Sequence, residues 1–178
     1  MAHSQEMIDK MIDRVIDNEG GYVNHPDDKG KETKYGITEA VARANGYKGS
    51  MKNLPKSKAF DIYKTRYWTN ACQSINSQAA SFLMLDMNAN HGTKNASKIL
   101  QRALNTLCSG LVVDGIAGAK TINAANNADE HSLILALTAE RLRFFANIAK
   151  FTTFGKGWVR RVANNISFID ALGQNSIR

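Results

Sequence analysis

Only two prolines and two cysteines occur in the 178 residues. With so few prolines and no long Ser/Gly/Pro tract, the chain has no room for a linker or a disordered arm. Two cysteines cannot make a disulfide framework. Cys72 and Cys108 are expected to be ordinary buried thiols rather than a disulfide, as in a reducing cytosol, and Cys72 has no histidine near it in sequence to make it a nucleophile. No stretch approaches the roughly 20 apolar residues of a membrane span. The N-terminus lacks a basic region followed by an apolar run, so no secretory signal is read there. The expectation is a chain made in the cytoplasm, which reaches anything outside only through another factor. Repeats, zinc-ligand spacings and phosphate-loop patterns are missing too, and His91 has no second His or Cys at ligand spacing.

What remains is an ordinary globular composition, 43% hydrophobic and 22% charged. The length suits one domain, or one domain with a small appended subdomain, and is enough to bury a core. An excess of 23 Lys+Arg over 16 Asp+Glu gives +7, which favours polyanionic partners: nucleic acid, an anionic membrane or envelope surface, or an acidic polymer. The positives are dispersed, with mild clusters at 48–58 and 141–161. No basic stripe interleaved with aromatics appears, so nucleic acid is the weakest of these partners.

Helical periodicity dominates. Ser4 is a good N-cap, and Met7, Ile8, Met11, Ile12, Val15 and Ile16 form one apolar stripe. Four residues beyond Val15 the stripe reaches Glu19, and Gly20 is placed to stop the helix. Tyr22-Val23 and Tyr35-Gly36-Ile37 are candidates for a small hairpin. Thr38 caps a second helix ending at Gly46, and Pro55 opens a third with Ala59, Ile62, Tyr63 and Tyr67 inward. Residues 77–90 are apolar on nearly all sides, the pattern of a buried central helix. Further helices are expected over 94–108, 121–126 and 132–150. A last one is expected to bury Trp158, Val159, Val162, Ile166 and Ile169. The expected fold is mainly α, with at most a small β-hairpin.

The chemistry gathers between Glu19 and Thr38, E-G-G-Y-V-N-H-P-D-D-K-G-K-E-T-K-Y-G-I-T. One acid carried by a helix and another carried by a loop is what glycosidic cleavage needs. An acid at a helix C-terminus works against the macrodipole. On the apolar side it is also expected to resist ionisation, as a general acid must. Asp28, eight residues on, is spaced to face the helix end, although P-D-D-K-G is also a good turn by itself. Thr33 offers a hydroxyl to orient a water, or serves as a turn hydroxyl. Asp86, in L-D-M-N-A-N-H-G, is expected to be a structural carboxylate paired inside an apolar helix. Tyr35, and Asn90 and His91 at that helix end, are candidates to line a sugar cleft. Trp158 is either a sugar platform or core. Asp114 to Gly118 reads as a turn.

At these residues the chain resembles the glycoside hydrolase family 108 muramidases of phage endolysins and bacterial homologues. E-G-G-Y-V-N, P-D-D, G-K-E-T and Y-G-I-T resemble that family's N-terminal signature, and L-D-M-N-A-N-H-G its second block. V-D-G-I-A-G-A-K-T-I and G-W-V-R-R-V look like its C-terminal peptidoglycan domain. The resemblance implies a lysozyme-like helical fold, with a catalytic region over 1–92 and a peptidoglycan region over 93–178 packed into the same globule. It implies a monomeric N-acetylmuramidase with peptidoglycan as partner, no cofactor and no metal, released to the wall by a holin or other export. Glu19 matches the family's catalytic glutamate. The order Glu19, Asp28, Thr33 resembles the Glu–Asp–Thr order of phage-type lysozymes, with one residue fewer between the last two. His25, Lys29, Lys31 and Lys34 depart from the family pattern, where Asp, Pro, Gly and Asn are usual, and make that region more basic. Rival expectations are a lytic transglycosylase using Glu19 alone and a non-catalytic wall-binding or secretion-accessory protein.

Overall fold

A computed structural model describes residues 3–24 and 32–175. The chain divides into two compact units, one of residues 4–69 and one of residues 70–178 together with the N-terminal three.

The first unit begins with α1, Gln5–Glu19. Ser4 caps it, its hydroxyl accepting from the Met7 amide at 3.2 Å, and Ile8, Met11, Ile12, Val15 and Ile16 are buried. That stripe is what the period predicts, and it packs on α3, Lys56–Arg66, whose Ala59, Ile62 and Tyr63 are buried in turn. Pro55 precedes α3 with its fixed φ. Between the two helices lie β1, Tyr22–Asn24, β2, Glu32–Lys34, and β3, Ile37–Thr38, in an antiparallel sheet of that order. Tyr22 opposes Lys34, Val23 opposes Thr33, and Thr33 opposes Thr38 on its other side. The sheet has three strands, and Val23 pairs with Thr33 rather than with the Tyr35–Ile37 segment. Thr38 caps α2, Glu39–Ala44, accepting from the Val41 amide.

The second unit holds α4, Asn70–Ser74, α5, Gln78–His91, and α6, Thr93–Thr106. It continues with α7, Ala119–Asn127, α8, Glu130–Ala146, and α9, Phe151–Asn175. Helix α5 is buried continuously from Ala79 to Asn88, with α4, α6, α8 and α9 packed around it. Its amino end is capped by Ser77, whose hydroxyl accepts from the Ala80 amide at 3.0 Å. Between α6 and α7 the turn at Asp114 is held by Gln101, whose amide donates to the Asp114 carboxylate at 2.7 Å and accepts from the Gly115 amide at 2.9 Å. Cys72 is buried, but Cys108 is exposed, contrary to expectation, because it lies past the apolar stripe of α6 at φ 68°; both are free thiols. Val159 and Ile166 of α9 are also exposed rather than buried, because the buried face of the helix runs through Gly155, Val162, Asn165 and Leu172. Among the described residues no helix is long and apolar enough to cross a membrane.

One polar contact ties this unit together. The fully buried Asp86 carboxylate receives Nε and Nη2 of Arg161 at 3.0 and 2.7 Å and pairs with Arg141 Nη2 at 2.5 Å. Asn165 Nδ2 donates to it at 2.8 Å. Burial pushes this carboxyl up, but the charges of Arg141 and Arg161 and the hydrogen bonds from the same arginines outweigh burial and hold it below the ordinary carboxylate range. Replacing Asp86 with Ala would leave two guanidiniums without their counter-charge in the interior. The expected loss is about 3–5 kcal/mol, read as a lower urea midpoint with the slope of the transition unchanged.

Candidate active site

In the first unit, Glu19 is the last residue of α1, and the chain turns away at Gly20 with φ 78°. Its position continues the Met11–Val15 row, yet the side chain is only half-buried. It rests against the turn between β2 and β3. Tyr35 (φ 54°) and Gly36 (φ 70°) form the two-residue turn between β2 and β3, and positive φ at both centres suits the type I′ hairpin turn. A Cβ on Gly36 would lie 2.8 Å from Glu19 Cγ and Cδ and 2.7 Å from the Tyr63 hydroxyl. The Glu19 carboxyl and the Tyr63 phenol therefore crowd the same point above a glycine. Tyr63, itself buried, donates to the Tyr35 carbonyl at 3.1 Å and fixes that turn. Tyr35 is half-buried, with the Lys34 ammonium over its ring at 5.1 Å.

Thr33 occupies the middle of β2, between Val23 and Thr38, and is half-buried. Asp28 and its neighbour Asp27 lie outside the described residues, between Asn24 and Glu32, the last pair of the β1–β2 ladder. His25, Lys29 and Lys31 lie there too. Glu32 accepts from the Tyr22 hydroxyl at 2.6 Å across the same two strands. The sheet thus brings Tyr35 and Gly36 to Glu19, with Thr33 two residues upstream of that turn.

In the second unit, Asn90 and His91 are half-exposed at the carboxyl end of α5. Arg141 Nε donates to His91 Nε2 at 3.3 Å, which requires a neutral ring with its proton on Nδ1. Burial, then the Arg141 charge, drive the His91 pKa down to about 3, with Asp86 opposing. The ring touches Phe144 and Phe145 at 4.8 and 4.9 Å between centroids. Trp158 stacks on Phe145 at 5.0 Å and 15°, with Phe151 and Phe154 against it at 6.2 and 6.1 Å. One indole face is therefore spent on packing. Among the described residues no group of three His, Cys, Asp or Glu side chains is placed to hold a metal ion.

The sequence did not point to Tyr63, Arg141, Phe144 or Phe145. For Arg141 a signal existed: Leu133, Leu137, Arg141 and Phe145 recur every four residues, so an arginine sits on a buried stripe. Tyr63 carried none, because its spacing is that of core.

Two outcomes are expected. Gly36→Ala forces a Cβ into the Glu19 side chain at a φ that costs about 1 kcal/mol for L-residues. It should lower any activity that depends on the Glu19 carboxyl by more than tenfold while Tm falls by only a few degrees, checked by kinetics and a thermal melt. For His91, the unfolded ring takes up its proton near pH 6.5 while the folded ring resists until about 3. Unfolding therefore binds a proton between those values, and stability falls as pH drops across that window, at up to about 1.4 kcal/mol per pH unit. His91→Gln keeps an acceptor for Arg141, and its Tm against pH should be flatter there. An unchanged slope would remove His91 as the cause.

Residues 12–92 match the model of the glycosyl hydrolase 108 family, and residues 95–163 match that of a predicted peptidoglycan domain. Helix α5 lies within the first match although it is the centre of the second compact unit. No curated protein matches the chain. Among solved structures, that of Brucella abortus SagA is 34% identical, covers 94% of this chain and 96% of its own, and superposes with a TM-score of 0.79. Through that whole-length likeness and the two matched stretches, the chain belongs to the glycosyl hydrolase 108 family, as a glycoside hydrolase that carries a peptidoglycan domain.

Proposed function

We propose that the chain is an N-acetylmuramidase, cleaving the β-1,4 bond between N-acetylmuramic acid and N-acetylglucosamine in peptidoglycan. The two matched stretches support peptidoglycan hydrolysis at the coarser level. The observation that carries the finer reading is the placement of Glu19. It ends a rigid, capped helix and is half-buried over Gly36, with the Tyr63 phenol beside it. A carboxyl held on regular structure and half out of water is suited to deliver its proton to a leaving glycosidic oxygen.

Bond cleavage leaves oxocarbenium character at the anomeric carbon of the muramic acid. Asp28 takes a proton from a water on the opposite face as that water's oxygen bonds to the carbon, and the Thr33 hydroxyl orients the same water. The outcome is inversion at the anomeric centre. Tyr35 on the first unit, and Asn90 and His91 on the second, are each proposed to contact sugar, whereas Trp158 serves chiefly to pack Phe145.

Digestion of purified peptidoglycan tests this. Glu19→Gln should slow hydrolysis by about 10²–10⁴, and wild-type products should carry one added water by mass spectrometry. Their first-formed anomer should be inverted by NMR. A Glu19→Gln protein that clears peptidoglycan like the wild type would leave a binding protein, not an enzyme. Anhydro-muramic ends, with no added water, would make it a lytic transglycosylase.

A further inference from the structure

We infer that the amino half of α9 is an interfacial docking face for an anionic phospholipid bilayer, separate from the glycosidase chemistry and independent of the muramidase reading. The sequence from Arg141 to Ile169 holds six cations and no acid, between Glu140 and Asp170. The structure divides those cations. Arg141 and Arg161 are consumed by Asp86, and Arg143 pairs with Glu140. Lys150, Lys156 and Arg160 are exposed, and no ion pair among the described residues involves them.

Apolar side chains share this face. Phe151 is 37% exposed and Val159 47%. Large apolar residues that open to solvent beside free cations mark an interaction surface. The face is also shaped: a groove of about 430 Å³ is lined by Phe151, Gly155, Lys156, Val159 and Arg160. Its floor is built by omission, since a Cβ on Gly155 would lie 2.9 Å from the Phe151 ring. The ring therefore lies across the helix instead of standing off it.

The chemistry selects the occupant. Aromatic and branched side chains flanked by Lys and Arg are what a helix lying in a headgroup layer presents, with apolar groups entering the acyl boundary and cations meeting phosphates. A neutral glycan would give Lys156 and Arg160 no counter-charge. A second copy joined through the same patch would bring Lys156 and Arg160 toward their own counterparts, with no acid on the face to answer them.

Full-length protein would be sedimented with phosphatidylethanolamine vesicles containing about one-third phosphatidylglycerol, and with phosphatidylcholine vesicles. Association with the anionic vesicles alone is expected, weakening with salt. Lys156→Gln with Arg160→Gln should reduce it roughly 30-fold, and Phe151→Ser with Val159→Ser should abolish it, both with unchanged circular dichroism. Lys48→Gln with Lys120→Gln removes the same net charge from exposed sites elsewhere and should cost much less. Equal loss in that control would mean general charge attraction and overturn the proposal. So would failure to bind anionic vesicles at low salt, retention by purified sacculi that the α9 variants lose while vesicles are ignored, or a dimer in analytical ultracentrifugation that those variants dissolve.

Discussion

Asp86 lies in an interior that does not accept a lone charge, and two arginines from different helices answer it. Two guanidiniums against one carboxylate leave a positive excess in a poorly screened place. That excess reaches the end of α5, where Arg141 also donates to His91 and keeps the ring neutral. Apolar side chains of equal volume would stabilise the unit about as well. What the triad adds is direction. A guanidinium fork meets a carboxylate in few orientations, so Arg141 and Arg161 fix the rotation of α8 and α9 against α5. The state of His91 and the stacking of Phe145 on Trp158 follow from that rotation.

The same arrangement limits what the aromatic residues can do. His91 packs on Phe144 and Phe145, and Trp158 has given one face to Phe145. Stacked at 5.0 Å on a phenyl ring, the indole transmits the position of α9 to α8.

Much of the fold was legible because its signals are local. Ser4, Thr38 and Ser77 each accept from the amide three residues on, as helix caps do, and the stripe of α1 is buried as its period requires. Asp129 shows where local reading stops short: it caps α8 four residues before the apolar period begins at Leu133, so the helix starts two residues earlier than expected. The strand pairing was hidden because type I′ turns usually announce themselves with Asn-Gly, and here the first centre is tyrosine. In α9 the apolar residues outnumber the positions that face the interior. Periodicity alone could not tell Val162, which is buried, from Val159 and Ile166, which are not. Glu19 was legible as an acid on an apolar row, but not the glycine and phenol that hold it, since both come from elsewhere in the chain.

The turn beneath Glu19 explains why the acid stands where it does. Tyrosine at φ 54° is disfavoured by about 1 kcal/mol or more, and such a conformation persists only where its surroundings over-determine it. Three contacts do so here. The Lys34–Ile37 pair closes the hairpin, Tyr63 donates to the Tyr35 carbonyl, and the absent Cβ of Gly36 lets the Glu19 side chain settle onto the turn. Relaxing Tyr35 would move Gly36, and with it the turn on which the Glu19 side chain rests. A helix end alone would leave a long side chain free to rotate into water. The strained turn converts the end of α1 into a fixed address for a carboxyl, with part of it still open to solvent.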